Sequence, residues 1–141
     1  MVNSAAPVPI REIVMKIIVT QDAPKAIGPY SQGISNGGLV FISGQIPINP
    51  KTGNIETSSM EEQTTQVLNN LKAVLLAAGS DLSHVLRCTV FLTDLTDFVS
   101  FNKVYSLFFE SDPPARTTIQ AAKLPRDSKV EIDAIATLSD S

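Results

Sequence analysis

From Ser58 to Gly79 the chain specifies one helix in full, and a helix with a single apolar stripe needs a surface to lie on. Ser58 or Ser59, each followed three residues later by Glu61 or Glu62, offers a capping box. Apolar residues then recur at Val67, Leu68, Leu71, Val74, Leu75 and Ala78, the spacing that buries one side of a helix. Gly79 suits the left-handed residue that ends it.

The surface is supplied by strands. Val14 to Thr20 is a β-branched run closed by Gln-Asp-Ala-Pro. Ala23 to Gly33, punctuated by Pro24, Gly28, Pro29 and Gly33, reads as an ordered loop with a strand emerging near Tyr30. Asn36-Gly37-Gly38 is a tight hairpin turn, and Leu39 to Gly44 is the return strand. Ile46 to Thr57 is loop. Val85 to Thr93 is dense enough in Val, Leu, Cys, Thr and Phe to lie in the middle of a sheet.

After a turn at 93–97, Phe98, Phe101, Val104, Tyr105 and Phe108 predict a second amphipathic helix, stopped by Asp112-Pro113-Pro114. Arg116 to Ala121 and Val130 to Thr137 are the last strands, joined by a connection short enough to make them neighbours if antiparallel. The expected fold is α+β in the order ββαβαββ, one mixed sheet with two helices packed on one face. The other face is left to water or to another subunit.

Length and composition bound the function. The 141 residues fit one domain over 16–141, with 1–15 as a loose extension. That extension is too weak a pattern for a cleavable presequence, mitochondrial targeting being the minority alternative to a cytoplasmic protein. Eleven Lys and Arg against 14 Asp and Glu leave a net charge of −3, which disfavours nucleic acid and anionic membranes as partners. No apolar run approaches a bilayer span. The single Cys88 excludes an internal disulfide and fits a reducing compartment.

Several chemistries lack their residues. His84 and Cys88, four apart on one predicted strand, would lie about 13 Å apart, too far for a catalytic dyad. One His and one Cys make a metal site improbable, and neither phosphate-cradling glycine pattern occurs, so a nucleotide cofactor has no visible seat. Polar residues set at strand starts and turns remain: Tyr30, Ser31, Ser43, Gln45, Asn102, Arg116, Thr118 and Glu131.

Those residues sit in recognisable stretches. Ala-Ile-Gly-Pro-Tyr-Ser-Gln-Gly (26–33), Ile-Ser-Gly-Gln-Ile-Pro (42–47), Pro-Ala-Arg (114–116) and Leu-Pro-Arg-Asp-Ser-Lys-Val-Glu-Ile (124–132) resemble the signature of the RidA (YjgF/YER057c) family. The similarity runs in order from about Lys16 to Thr137. The resemblance implies a chorismate-mutase-like fold assembled as a homotrimer, sheets inward, with a cleft at each subunit boundary. It also implies a cofactor-free deaminase that hydrolyses 2-iminobutanoate and 2-iminopropanoate to 2-keto acids and ammonia, limiting damage by imines released from pyridoxal-phosphate enzymes.

Residue chemistry is compatible with that implication. The planar fork of Arg116 suits bidentate binding of a small acid's carboxylate, the alternative being a surface ion pair. Glu131 alternates with apolar neighbours and can orient or deprotonate water, the alternative being a solvated strand acid. Tyr30 would close the pocket, or else serve as a core aromatic. Ser43 and Gly44 would bring backbone donors to the substrate, Asn102 would reach in from the second helix, and Ser31 and Gln45 are better read as turn-stabilising. Where many members have a pocket cysteine, this chain has Thr118 on the same strand face as Arg116. Rival readings are an endoribonuclease or translation inhibitor acting on RNA, and a non-enzymatic binding or holdase module.

Overall fold

In the computed structural model, which describes residues 14–139, the predicted helix forms as α1, Met60–Ala77. Ser59 is its N-cap and Ser59 Oγ accepts from the Glu62 N–H at 3.3 Å. The reciprocal half of the capping box is not made, because the Glu62 carboxylate accepts from the Thr57 hydroxyl instead. Gly79, at φ +81°, turns the chain left-handed, and the Ser80 N–H reaches back to the Leu75 carbonyl at 2.9 Å. Val67, Leu68, Leu71, Val74 and Leu75 are fully buried.

The sheet has six strands: β1 Lys16–Ile18, β2 Gly33–Asn36, β3 Leu39–Gln45, β4 Val85–Leu92, β5 Ala115–Gln120 and β6 Val130–Thr137. The element order is βββαβαββ: the run 14–20 forms the short β1, so all three stretches read as strands before α1 are present, one more than the expected order counted. Nearly all of the expected extension, residues 1–13, lies outside the described residues. The strand expected near Tyr30 begins only at Gly33, since Gly28 at φ +120° and the prolines hold residues 24–31 in a loop.

The spatial order is β1-β2-β3-β6-β4-β5. The last two strands are therefore not neighbours. Helix α2, Phe98–Phe108, forms a crossover that brings β5 back parallel to β4, and β6 then inserts antiparallel between β3 and β4. β5 thus becomes an edge strand. A central place for β4 agrees with its apolar sequence.

Both helices lie on one face of the sheet. Val40, Ile42, Cys88, Val90, Leu92, Val130, Ile132, Ala134 and Ala136 point into the core beneath them, alongside Phe101, Val104 and Tyr105 of α2. The opposite face carries Ile17, Leu39, Phe41 and Ile119, all exposed in the single chain. Asn70 on α1 clamps the 46–57 loop, its amide nitrogen donating to the carbonyls of Ile46 and Ile48 at 3.0 and 2.9 Å.

Candidate functional site

The expected site residues fall into two groups, and strand register decides which. Cys88 pairs with Arg116 on one side and with Ala134 on the other, so the Arg116 side chain shares the helix-covered face with two core residues. Phe91 pairs with Ile119 and with Glu131. Positions 88 and 91 are an odd number of residues apart, and side chains alternate along a strand, so Glu131 leaves by the other face.

The first group is built around Arg116. Its Nη1 donates to Asn102 Oδ1 at 2.9 Å, and its guanidinium carbon lies 4.8 Å from the Tyr105 ring centre and 5.5 Å from those of Phe98 and Phe101. Three rings and an amide therefore hold the fork in one orientation. Among the described residues Arg116 makes no ion pair. The surface ion pair considered from sequence is thus not formed within the chain.

Thr118, two residues along β5, faces the same way. The Thr118 and Tyr105 hydroxyls are the buried side-chain polar atoms that lack a hydrogen-bond partner among the described residues. Burial pushes the Cys88 thiol up to about 11 and raises the Tyr105 hydroxyl well above its ordinary value; Cys88 adds to the rise at Tyr105, whereas Tyr105 lessens the rise at Cys88. Both stay protonated at neutral pH. A guanidinium set among neutral donors favours an anion.

The second group surrounds Glu131. The β3–β6 register shifts between Ile42 and Gln45, a bulge that lifts Ser43 and Gly44 out of the ladder. Glu131 fills the space this creates: a Cβ placed on Gly44 would stand 2.7 Å from its Oε2. Half-burial, and secondarily the negative charge of Asp133, raise the Glu131 carboxyl above its usual range. Ser43 Oγ donates to the Ser31 carbonyl at 2.5 Å and its N–H to the Gln32 carbonyl at 3.0 Å.

Two expectations change. Tyr30 is neither in the core nor closed over a pocket within the chain: it is exposed, its hydroxyl accepting from the Ile27 N–H at 3.3 Å. His84 is not on the strand with Cys88 but in a 3-10 turn, Leu82–His84, its Nδ1 2.8 Å from Asp81. Gln45 serves the local backbone as expected, its Nε2 donating to the Ser43 carbonyl, while Ser31 contributes its main-chain carbonyl, which accepts from Ser43 Oγ.

The aromatic surround of Arg116 was not foreseen. Phe98, Phe101 and Tyr105 read as ordinary helix core, yet Asn102 among them was the signal, since an amide inside an apolar helix stripe needs a partner. Two hollows of the single chain, of about 400 and 280 Å³, are lined by other residues, the first beside Thr20 and Lys72 and the second beside Phe41 and Asp133.

A six-stranded mixed sheet with both helices on one face and an aromatic-held arginine on the edge strand defines an α+β chain of the Rid type. The profile of the family described as Endoribonuclease L-PSP matches residues 20–138, and the chain belongs to that family. It is 53% identical over 129 residues to Protein DfrA of Myxococcus xanthus, covering 90% of this chain and 98% of that one. It is 48% identical over 127 residues to the Escherichia coli protein named "Putative reactive intermediate deaminase TdcF", covering 88% of this chain and 98% of that one.

The crystal structure of E. coli TdcF with bound serine is similar with a TM-score of 0.84, at 48% identity over 88% of this chain and 99% of that one. YyfA of Yersinia pestis, from the conserved Rid protein family, has a TM-score of 0.87 at 42% identity, over 89% of this chain and all of its own. No described helix is long and apolar enough to cross a membrane.

Proposed function

We propose that the chain is a deaminase of reactive 2-imino acids, acting where the Arg116 half of one copy meets the Glu131 half of another. The carrying observation is the arginine: its fork is fixed by Asn102 and three rings and lacks an ion pair among the described residues. Such a cation is matched to a small carboxylate. The naming of TdcF as a reactive intermediate deaminase, and the serine bound to it, support the same ligand class.

Hydrolysis then needs little machinery. With the substrate carboxylate on Arg116, Glu131 removes a proton from water as its oxygen attacks the C=N carbon, giving a carbinolamine. Starting from the protonated imine, Glu131 returns that proton to the carbinolamine nitrogen, the freed carboxylate takes the carbinol hydroxyl proton as the C–N bond breaks and the C=O bond forms, and ammonia and a 2-keto acid leave. A carboxyl whose pKa is raised by burial is a stronger base than a free one, which suits it to take up and return the proton. Ser43 and Gly44 border the Glu131 side, Tyr30, exposed in the single chain, is free to close over the site once copies assemble, and Thr118 supplies a hydroxyl beside Arg116.

Opposite faces of one sheet cannot converge on one small molecule, so the reading requires assembly. The resemblance to RidA makes that assembly a homotrimer with three boundary sites. 2-Iminobutanoate and 2-iminopropanoate are the proposed substrates, in a reducing compartment such as the cytoplasm.

The test is ammonia release from freshly generated 2-iminobutanoate. Wild-type protein accelerates it and Arg116→Ala does not. Wild-type protein that leaves imine decay unchanged while cleaving RNA would overturn the proposal.

A further inference from the structure

Asparagine followed by glycine occurs once in the sequence, at Asn36-Gly37, and the fold sets that pair in the turn between β2 and β3. Asn36 closes the hairpin opposite Leu39 and is exposed, while Gly37 and Gly38 carry the turn at φ +59° and +87°. A Cβ added to Gly37 would meet no atom within 4 Å, so this side of the turn is open. Among the described residues the Asn36 side-chain amide makes no hydrogen bond and the Gly37 N–H donates none.

The remaining asparagines of the described residues lack this combination. Asn49 precedes Pro50, which has no N–H, and Asn54 precedes the branched Ile55. Asn69, Asn70 and Asn102 lie in helices, where the N–H that follows each is held by the helix ladder.

We propose that Asn36 is a site of spontaneous deamidation, and that its isoaspartyl product unmakes the β2–β3 turn. The chemistry needs only water. The Gly37 main-chain nitrogen, having lost its proton to solvent base, attacks Asn36 Cγ. The N–Cγ bond forms, the Cγ–Nδ2 bond breaks, and the amide nitrogen takes a proton from water and leaves as ammonia. Water then opens the five-membered imide. Cleavage at Cγ leaves an ordinary aspartate. Cleavage at the main-chain carbonyl of residue 36 leaves isoaspartate, whose chain runs through Cβ and Cγ and whose former carbonyl carbon is the free carboxylate. The attack requires the peptide between the two residues to rotate, and Gly37 and Gly38 permit this because neither carries a Cβ.

Isoaspartate adds one methylene to the main chain at the mouth of a two-residue turn. Such a turn fixes the pairing from Gly33 with Ile42 to Asn36 with Leu39, and that register decides which side chains face the core. The Gly38 carbonyl also accepts from the Leu138 N–H at 2.9 Å, so a distorted turn loosens the chain beyond β6. Ordinary aspartate keeps the geometry and adds one negative charge to the net −3.

Ageing the purified protein tests this. Wild type and variants are held at physiological temperature in neutral and in mildly alkaline buffer. They are then read by intact mass, peptide mapping and methyl labelling with an isoaspartyl carboxyl methyltransferase and S-adenosylmethionine. Wild type should gain about one dalton at Asn36 before any other position, faster at the higher pH, and should take up label. Asn36→Ser should take up none at this turn. Gly37→Asn tolerates the left-handed turn yet shields the nitrogen with a side chain, so it should age several-fold more slowly. The isoaspartyl fraction, separated by ion exchange, should melt below fresh protein, whereas fresh Asn36→Asp should melt like wild type.

An aged wild type of unchanged mass, or one that deamidates first at another asparagine, would overturn the site. A Gly37→Asn variant that ages as fast as wild type would overturn the role of the turn, and an isoaspartyl fraction as stable as fresh protein would overturn its unmaking. The turn lies about 17 Å along β3 from Gly44, so Asn36→Ser should leave imine hydrolysis unchanged and the proposal stands or falls apart from that reaction.

Discussion

Arg116 and Glu131 leave opposite faces of the same sheet: Arg116 lies in register with Cys88 and Glu131 with Phe91, three residues further along β4. One chain therefore presents the two halves of the proposed site on opposite sides of its sheet, the arginine under α2 and the carboxyl beside the β3 bulge.

Shortening the fork while keeping its charge separates positioning from attraction. Arg116→Lys should lower kcat/KM for 2-iminobutanoate by about 10²-fold, because the bidentate carboxylate contact and the Asn102 bond cannot both be remade. Asn102→Ala should raise KM more than it lowers kcat. Steady-state ammonia release measures both.

Glu131→Gln should slow turnover by about 10²–10⁴-fold. Its effect on stability has the opposite sign. Folding raises the Glu131 pKa, so its contribution is fully favourable below the unfolded carboxylate value and fades as pH rises through the folded one. At neutral pH the Gln variant should melt higher than wild type, and the gap should close as pH falls through the carboxylate range, as read by thermal denaturation.

The prediction at Gly44 is a pure displacement. A Cβ there would meet the free end of the Glu131 side chain at 2.7 Å and no backbone as closely. Gly44→Ala should leave the melting temperature nearly unchanged yet cut kcat, because the carboxylate swings aside. A large loss of stability instead would mean that the bulge is more rigid than its geometry indicates.

The Thr118 hydroxyl is buried without a partner. Thr118→Val keeps the shape and removes the unsatisfied group, so the unliganded protein should be as stable or more stable in urea. Substrate affinity should fall if that hydroxyl reaches the ligand, as equilibrium binding of a 2-keto acid would report.

In the core, Leu71→Ala removes a fully buried side chain of α1. It should cost about 2–5 kcal/mol in urea unfolding, with activity per folded molecule retained.

Periodic elements were legible from sequence because their signals are local. The α1 stripe with its cap residues, and the alternation of β6, needed no knowledge of the rest of the chain. The neighbours of β5 were not legible, since a short connection to β6 is compatible with adjacency and only the α2 crossover places β4 between them. The residues of the proposed site were legible as types in motifs, but their division between the two faces was not. Which face Arg116 takes depends on its register with Cys88, and which face Glu131 takes depends on Phe91. Of the two readings of Tyr30, the core one fails because a loop held by Pro24, Gly28 and Pro29 leaves it outside the core.

Among the described residues β5 hydrogen-bonds to β4 alone, so half of its main-chain donors and acceptors point away from the sheet. A margin of that kind invites strand-on-strand stacking between stray molecules unless something shields it. The ribbon bearing the reactive guanidinium is thus also the one most exposed to self-adhesion. Any neighbour that shuts the groove over Arg116 would shield this rim in the same step, so that loss of quaternary contacts would show as turbidity as well as lost turnover.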